Sequence, residues 1–274
     1  MAEGTKYSPV FACPHCAMPL AVTSNSATCP EGHSFDRARE GYFNLLVGGR
    51  LAKTATPGDT AESLAARRRF LNAGWYSRIA ESLGDALGSI QGPVLDVGCG
   101  EGYYLSHING TEKYGLDISK KAVQMASKSD PTSHFVVGTS FHLPILNQSC
   151  AAVFTVFAPH SFDEYRRILQ PGGTWVTVTP GPSHLVEMRP QRDNKILERE
   201  EKRSEPPTEA ADAVRIQFTL DLTDEAAHDL YTMTPLQFQA SSAEAVHTVR
   251  TVSVDVWVSH GTLTESPASP RLSL

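Results

Sequence analysis

The 274-residue chain is poor in cysteine, holding five in all, an odd number, with Cys13, Cys16 and Cys29 crowded near the start and Cys99 and Cys150 far downstream. That spacing excludes a paired disulfide framework and makes reduced thiols the expectation. No run of eighteen apolar residues occurs, which excludes a membrane-spanning helix. The opening "MAEGTKYSPVFAC" lacks the charged-then-apolar order of a secretory leader, so a cytoplasmic protein is expected. Positive charge is also scarce: the formal net charge is −6, which speaks against nucleic acid as a partner of the whole surface. The shortage is uneven, since residues 1–80 carry nine Lys/Arg against six Asp/Glu and the remainder carries fifteen against twenty-four. Screening confines such fields to about 10 Å, so a basic front on an acidic body can still bind phosphate locally.

What is present begins with C-x2-C-x12-C-x3-H, formed by Cys13, Cys16, Cys29 and His33 in a stretch too short for a core of its own. Two close ligand pairs separated by a loop suit a tetrahedral zinc ion, and four protein ligands close the shell, so the site reads as structural. Zinc contributes roughly 10–16 kcal/mol of apparent free energy in zinc-finger peptides, enough to substitute for buried apolar surface. His15 competes as a ligand but sits inside the C-x-x-C turn and is expected to point elsewhere.

After it, Arg37, Arg39, Arg50 and Lys53 flank an apolar "YFNLL". A Pro57-Gly58 break and an Asp59-x-x-Glu62 capping box predict a helix with Leu64 and Leu71 on its buried face. Arg67, Arg68 and Arg69 step around that helix at about 100° each and cannot share one ligand. Solvated surface with a salt bridge, or phosphate contact by one or two of them, are the open readings.

From residue 93 "PVLDVGCGEGYYLSHI" reads as a strand, a glycine turn and a helix, and "KYGLDISKKAVQMASK" as a strand ending at Asp117 with Ser119 capping the next helix. Asp117 follows Asp96 by twenty-one residues. Glycines let backbone approach a nucleotide, and an acid ending the second strand holds ribose hydroxyls. The loop Gly98-x-Gly100-x-Gly102 departs from the dinucleotide fingerprint and looks like the first motif of class I S-adenosylmethionine-dependent methyltransferases. "HFVVGTSFHLPI" reads as a third strand whose following loop, near Ser140 and Phe141, lies along the adenine in such enzymes. "CAAVFTVFAP" and "SFDEYRRILQPGGTWVTVTP" supply a fourth strand, a helix and a fifth strand. Five β/α alternations imply a mainly parallel sheet with ligands at the strands' carboxyl ends, where Gly100, Asp117, Pro159 and Pro180 fall.

Residues 190–213 are charged and aperiodic, and read as a mobile insertion or lid. "TDEAAHDLYTM" reads as a helix, and Val252, Val254, Val256 and Val258 alternate with Thr251, Ser253, Asp255 and Trp257 as a half-buried strand. "ESPASPRLSL" reads as a disordered tail.

The combination resembles the RlmA family of 23S rRNA (guanine-N1)-methyltransferases, leaning to its Gram-positive type II, tylosin-resistance branch. The residues that carry the resemblance are "CPHC", "CPEGHSFDRAREGYFNLL", "PGDTAESLAARRRFLNAGWY", "LDVGCGEGYY", "GLDISKKAV", "FAP", "LQPGG" and "VTPGPSHL", spanning Cys13 to Glu187. It implies an α/β, Rossmann-like class I methyltransferase with a mixed seven-stranded sheet and a small N-terminal zinc-binding domain. The expected divisions are a zinc module at 1–45, a helical linker at 46–90 completing the cofactor pocket, a methyltransferase domain at 91–264 and a tail at 265–274. It implies zinc ligands Cys13, Cys16, Cys29 and His33, and S-adenosylmethionine contacts from Tyr76, the glycine loop with Gly100 and Glu101, Asp117 and His184. The implied partner is a domain II hairpin of 23S rRNA at the peptide exit tunnel, whose methylation modulates macrolide (tylosin) susceptibility; no membrane partner is implied, and one copy or a homodimer is left open.

On spacing alone Tyr76 reads as a core aromatic beside Trp75, His184 equally as a satisfied loop histidine, Glu101 as a helix-opening acid, and Cys99 as a small buried filler. Methylation of guanine N1 also requires its proton to leave, for which His160, Asp163 and Glu164 are candidates. Asp163 and Glu164 fit the first turn of the following helix just as well. Tyr103, Tyr104 and Phe157 are candidates to stack on an extruded base. The alternatives are a zinc-containing small-molecule methyltransferase, which would show no salt-dependent RNA affinity, and an inactive zinc-ribbon nucleic-acid-binding protein, which would not bind S-adenosylmethionine.

Overall fold

The computed structural model describes residues 6–47, 60–110, 112–189, 205–238 and 249–263. The N-terminal strands β1 (Lys6–Ala12), β2 (Pro19–Val22), β3 (Ser26–Thr28) and β4 (Ser34–Asp36) pair antiparallel in that order. Strand β5 (Phe43–Asn44) leaves this small sheet for the large one. There it runs parallel to β8 (His134–Val137), Phe43 opposite Val136 and Asn44 opposite Val137.

The large sheet has order β11-β12-β10-β9-β6-β7-β8-β5. Its members are β6 (Pro93–Val97), β7 (Glu112–Asp117), β9 (Cys150–Val156), β10 (Leu169–Pro180), β11 (Asp212–Asp221) and β12 (Thr251–Thr262), with β8 and β5. The expected mixed sheet is present with eight strands instead of seven. The addition is β5, two residues of the "YFNLL" stretch, too short to give a period-two signal. All five residues of β6 are buried because the strand lies mid-sheet and is covered on both faces. The chain proceeds β6, β7, β8 toward one edge and β9, β10 toward the other, so the sequence order reverses between β6 and β9. A crevice opens at such a point, at the strands' carboxyl ends.

Helix α1 (Ala61–Asn72) begins one residue later than the box at Asp59 predicts, with Thr60 as cap. Thr60 is extended, and its hydroxyl accepts from the Ser63 amide at 3.0 Å. Asp59 lies outside the described residues. Leu64 and Leu71 are buried as expected, and the three arginines go three ways. Arg67 donates to the Met233 carbonyl, Arg68 to the Ser129 hydroxyl, and Arg69 to both oxygens of Asp229. Asp229 lies on α6 (Asp224–Met233), the predicted "TDEAAHDLYTM" helix, so the ion pair ties the two helices together.

The remaining helices are α2 (Ser77–Leu87), α3 (Tyr103–Ser106), α4 (Lys120–Ser129), capped by Ser119 as expected, and α5 (Phe162–Ile168). Helix α2 turns Ile79, Ala80, Leu83 and Leu87 inward.

Along β12 the four valines are buried, but Asp255 on the opposite face is buried too. Arg215 of β11 covers it with two 2.8 Å hydrogen bonds, and Ser183 donates its amide at 2.8 Å. Of the 190–213 insertion, residues 190–204 lie outside the described residues, as does the 265–274 tail; β11 already begins at Asp212.

The small N-terminal sheet is not separate from the large one. Ala12 donates to Pro144 O at 2.9 Å, Leu146 to Val10 O at 2.8 Å, and Phe11 packs edge-on against Tyr114 at 5.3 Å. Val10, Leu20 and Cys29 share one apolar cluster with Leu95, Leu116 and Val136 of the sheet. Among the described residues no helix is long and apolar enough to cross a membrane.

Arg69 is half exposed while Asp229 is 3% exposed, so removing the arginine strands a buried carboxylate. Arg69→Met is expected to lower unfolding free energy by about 1–3 kcal/mol in denaturant titration. The double change Arg69→Met, Asp229→Leu should recover most of that loss; no recovery would mean the pair is not the cause.

Candidate active site and metal centre

The cleft at the β6/β9 reversal has a volume of about 490 Å³. Its floor is the turn after β6. Gly98 has φ +82°, and a Cβ there would come within 2.3 Å of the Ala158 methyl, so only glycine fits. Gly100, at φ +55°, would project a Cβ toward Arg67 Nη1, 3.6 Å away. The turn is held from the next strand: Asp117 Oδ2 accepts from the Gly100 amide at 2.9 Å and Oδ1 from the Ser119 amide at 2.8 Å.

Of the residues expected at the cofactor, Tyr76, Gly98, Gly100, Glu101 and Asp117 line this cleft. Gly102 lies beneath it, in the left-handed turn into α3, where its missing side chain admits Ala126. Ser140 follows β8 and is not part of the lining. His184 stands behind the wall: its ring stacks on Phe157 at 5.3 Å and tilts toward Tyr76 at 6.4 Å. The Asp255 amide donates to His184 Nδ1 at 3.4 Å, which leaves the proton on Nε2. Burial and the nearby Arg189 hold the imidazole down at about 4, so it is neutral at physiological pH.

Tyr76 is both the core aromatic and the cleft residue. Its ring meets Phe70 edge-on at 5.0 Å, yet its buried Oη has no hydrogen-bond partner. A second orphaned atom is Oδ2 of Asp96, 2% exposed at the end of β6. Burial, with Asp117 and Glu101 nearby, pushes the Asp96 carboxyl well above the usual carboxylate range. Glycine-lined backbone, the orphaned Tyr76 hydroxyl and an acid ending the second strand fit a nucleoside-bearing ligand.

None of His160, Asp163 and Glu164 lines the cleft. Asp163 is exposed and pairs with Arg166 at 2.9 Å. Glu164 accepts from the Leu143 amide and from Arg167. Burial would raise its carboxyl, but those hydrogen bonds outweigh it and hold it below the usual range. His160 stacks on Tyr165 at 5.5 Å, and its Nδ1 lies 3.3 Å from the Ala158 carbonyl, to which it donates. Phe157 is 39% exposed in a left-handed backbone conformation beside the cleft, with Pro159 following. Cys99 is buried, and burial raises its thiol well above the ordinary value, as a filler requires. Sequence reading missed Arg67 as a cleft residue, because helical spacing says that three arginines diverge but not which one turns inward.

In the small sheet, ligand atoms of Cys13, Cys16, Cys29 and His33 all lie within 4.8 Å of one another. Cys16 Sγ is 3.6 Å from Cys29 Sγ, and His33 Nδ1 is 3.6 and 3.3 Å from the sulfurs of Cys13 and Cys29. A tetrahedral zinc shell has edges of about 3.8 Å between sulfurs and about 3.6 Å from sulfur to nitrogen. The four residues therefore fit a closed zinc site with no open coordination position. The turn that brings Cys16 back to Cys13 has Ala17 at φ +58° and its amide on Cys13 O. His15 stacks on His33 at 4.8 Å and stays outside the ligand set.

Fold and site together define a class I methyltransferase carrying a zinc ribbon. The profile of the RlmA N-terminal zinc ribbon matches residues 11–47 and a methyltransferase-domain profile matches residues 95–177. A 23S rRNA (guanine(748)-N(1))-methyltransferase of Streptomyces fradiae is 34% identical over 242 residues, covering 81% of this chain and 84% of that protein. A Micromonospora griseorubida protein provisionally named a 23S rRNA (guanine-N(1)-)-methyltransferase is 33% identical over 246 residues, covering 77% of this chain and 82% of its own. The crystal structure of Bacillus YcgJ is similar with a TM-score of 0.45 at 17% identity, over 70% of this chain and all of that one. The chain belongs to the family of 23S rRNA (guanine-N1)-methyltransferases with the RlmA-type zinc ribbon.

Because the zinc ligands share a cluster with the large sheet, metal loss should be felt beyond residue 45. Wild-type protein is expected to hold one zinc per chain, and Cys16→Ser well under one, by elemental analysis of the purified protein. Its melting temperature should fall, as should that of wild type treated with a chelator. An unchanged melting temperature after zinc loss would show that the metal stabilises nothing.

Proposed function

We propose that this protein methylates N1 of a guanosine in a domain II hairpin of 23S rRNA, with S-adenosylmethionine as donor. The observation that supports this most is the joining of a closed zinc centre to the sheet whose crevice fits a nucleoside-bearing cofactor. A diffusible small substrate requires no such module. Action on ribosomal RNA would place the protein in the cytoplasm.

The bound cofactor supplies an electrophilic methyl group, so the chain has to orient, exclude water and handle one proton. Asp117, already fixed by the Gly100 and Ser119 amides, is assigned to the ribose hydroxyls. Gly98, Gly100 and Glu101 cradle the same moiety, and Tyr76 and the His184 behind it close the wall at Phe157. Phe157, exposed beside the cleft, presents a face on which an extruded base can stack. Holding the partners in line supplies much of the rate. For the N1 proton, Asp163 and Glu164 are engaged by arginines, whereas His160, outside the lining but next to the cleft residue Pro159, keeps Nε2 as an acceptor, so it is the residue assigned to a base held at the cleft mouth.

Primer extension across the domain II hairpin, on ribosomal RNA from cells with and without the gene, is expected to stop at one guanine only where the gene is present. No stop would overturn the target. With His160→Gln the stop should weaken by about 10²-fold in initial rate; an undiminished stop removes His160 from that role. Asp117→Ala is expected to weaken S-adenosylmethionine binding in calorimetry by about tenfold or more, since hydrogen bonds to a carboxylate are worth about 1.5–3 kcal/mol. Unchanged affinity would take Asp117 out of the site.

A further inference from the structure

We propose that Arg67 binds the α-carboxylate of the cofactor's amino-acid moiety. The inference rests on the cofactor reading above and names a residue that the sequence motifs did not assign.

The polar lining of the cleft is unbalanced. Asp117 and Glu101 contribute carboxyl groups, Asp96 lies just behind, and Arg67 is the one cationic side chain among the described lining residues. An S-adenosyl amino acid brings opposite needs: its sulfonium and ammonium suit that acidic surround, but its carboxylate is repelled by it. A carboxylate entering the same cleft therefore requires a cation in its lining.

Arg67 is that cation. Its Nη1 lies 3.6 Å from where a Cβ on Gly100 would be, beside the turn whose Gly100 amide Asp117 accepts. The second guanidinium nitrogen is steadied by a 3.3 Å hydrogen bond to Met233 O at the end of α6. A guanidinium presents planar paired donors that match a carboxylate, which a lysine ammonium does not. Its neighbours on the helix serve elsewhere, Arg68 on Ser129 and Arg69 on Asp229, so the role is specific to residue 67.

The test compares two ligands on the zinc-loaded full chain by calorimetry. S-adenosylhomocysteine carries the carboxylate; 5′-methylthioadenosine has the same nucleoside thioether and no amino-acid group. Arg67→Met is expected to weaken S-adenosylhomocysteine by about tenfold or more and to leave 5′-methylthioadenosine within about twofold. Arg67→Lys should fall between, keeping charge without the fork. An equal loss for both ligands would overturn the proposal, since Arg67 would then merely shape the cleft through Met233. Unchanged S-adenosylhomocysteine affinity with weakened rRNA binding would also overturn it, in favour of a phosphate contact. A wild-type chain that binds neither ligand would overturn the cofactor reading itself, and this inference with it.

Discussion

The hydrogen bond from the Gly100 amide to Asp117 joins the two strands on which the cleft is built. Backbone at φ +55° to +88° through Gly98, Gly100 and Gly102 is permissive, and permissive chain is a poor scaffold unless something outside it fixes its path. One carboxylate does this by accepting amides from both sides, Gly100 on the turn after β6 and Ser119 at the cap of α4. Close packing finishes the job: no methyl group fits at Gly98 against Ala158, and at Gly115 one would meet Phe135 within 2.5 Å. The shape of the crevice is thus decided by contacts too tight for any other residue.

The second constraint is metal in place of core. A segment of about forty residues buries too little apolar surface to offset its ordering entropy. Four ligand atoms within 4.8 Å of one another supply the missing cohesion locally. They also fix the orientation of β1, whose Val10 and Phe11 then pack on the sheet beside Ile145 and Tyr114. Strand β5 extends this attachment by backbone pairing at the sheet's edge. The zinc-binding segment is thus packed directly on the sheet that builds the cleft.

Much of this was legible in the sequence, and what was not has a physical reason. The metal set, the glycine turn, Asp117 and the Ser119 cap were readable because each depends on residue type at fixed local spacing. Strand β5 was not, since two residues carry no periodicity and the pairing is supplied by β8, some ninety residues away. Asp255 reads as the exposed member of an alternating strand, but Arg215 from the adjoining strand covers it. His184 and Tyr76 were named by resemblance, and their spacing says nothing of the stack through Phe157 that brings them together. Such long-range contacts leave no mark in a single sequence.

Helix α1 shows how one periodicity distributes several tasks. At 3.6 residues per turn, Leu64 and Leu71 share the buried face while three consecutive arginines point in three directions. One reaches the exposed edge of α4, one closes an ion pair with a buried aspartate on α6, and one turns into the crevice. The ion pair holds α6 against α1, and α6 ends at Met233, whose carbonyl in turn steadies the inward arginine. The ion pair that packs α6 against α1 and the carbonyl that contacts the inward arginine thus belong to the same short helix.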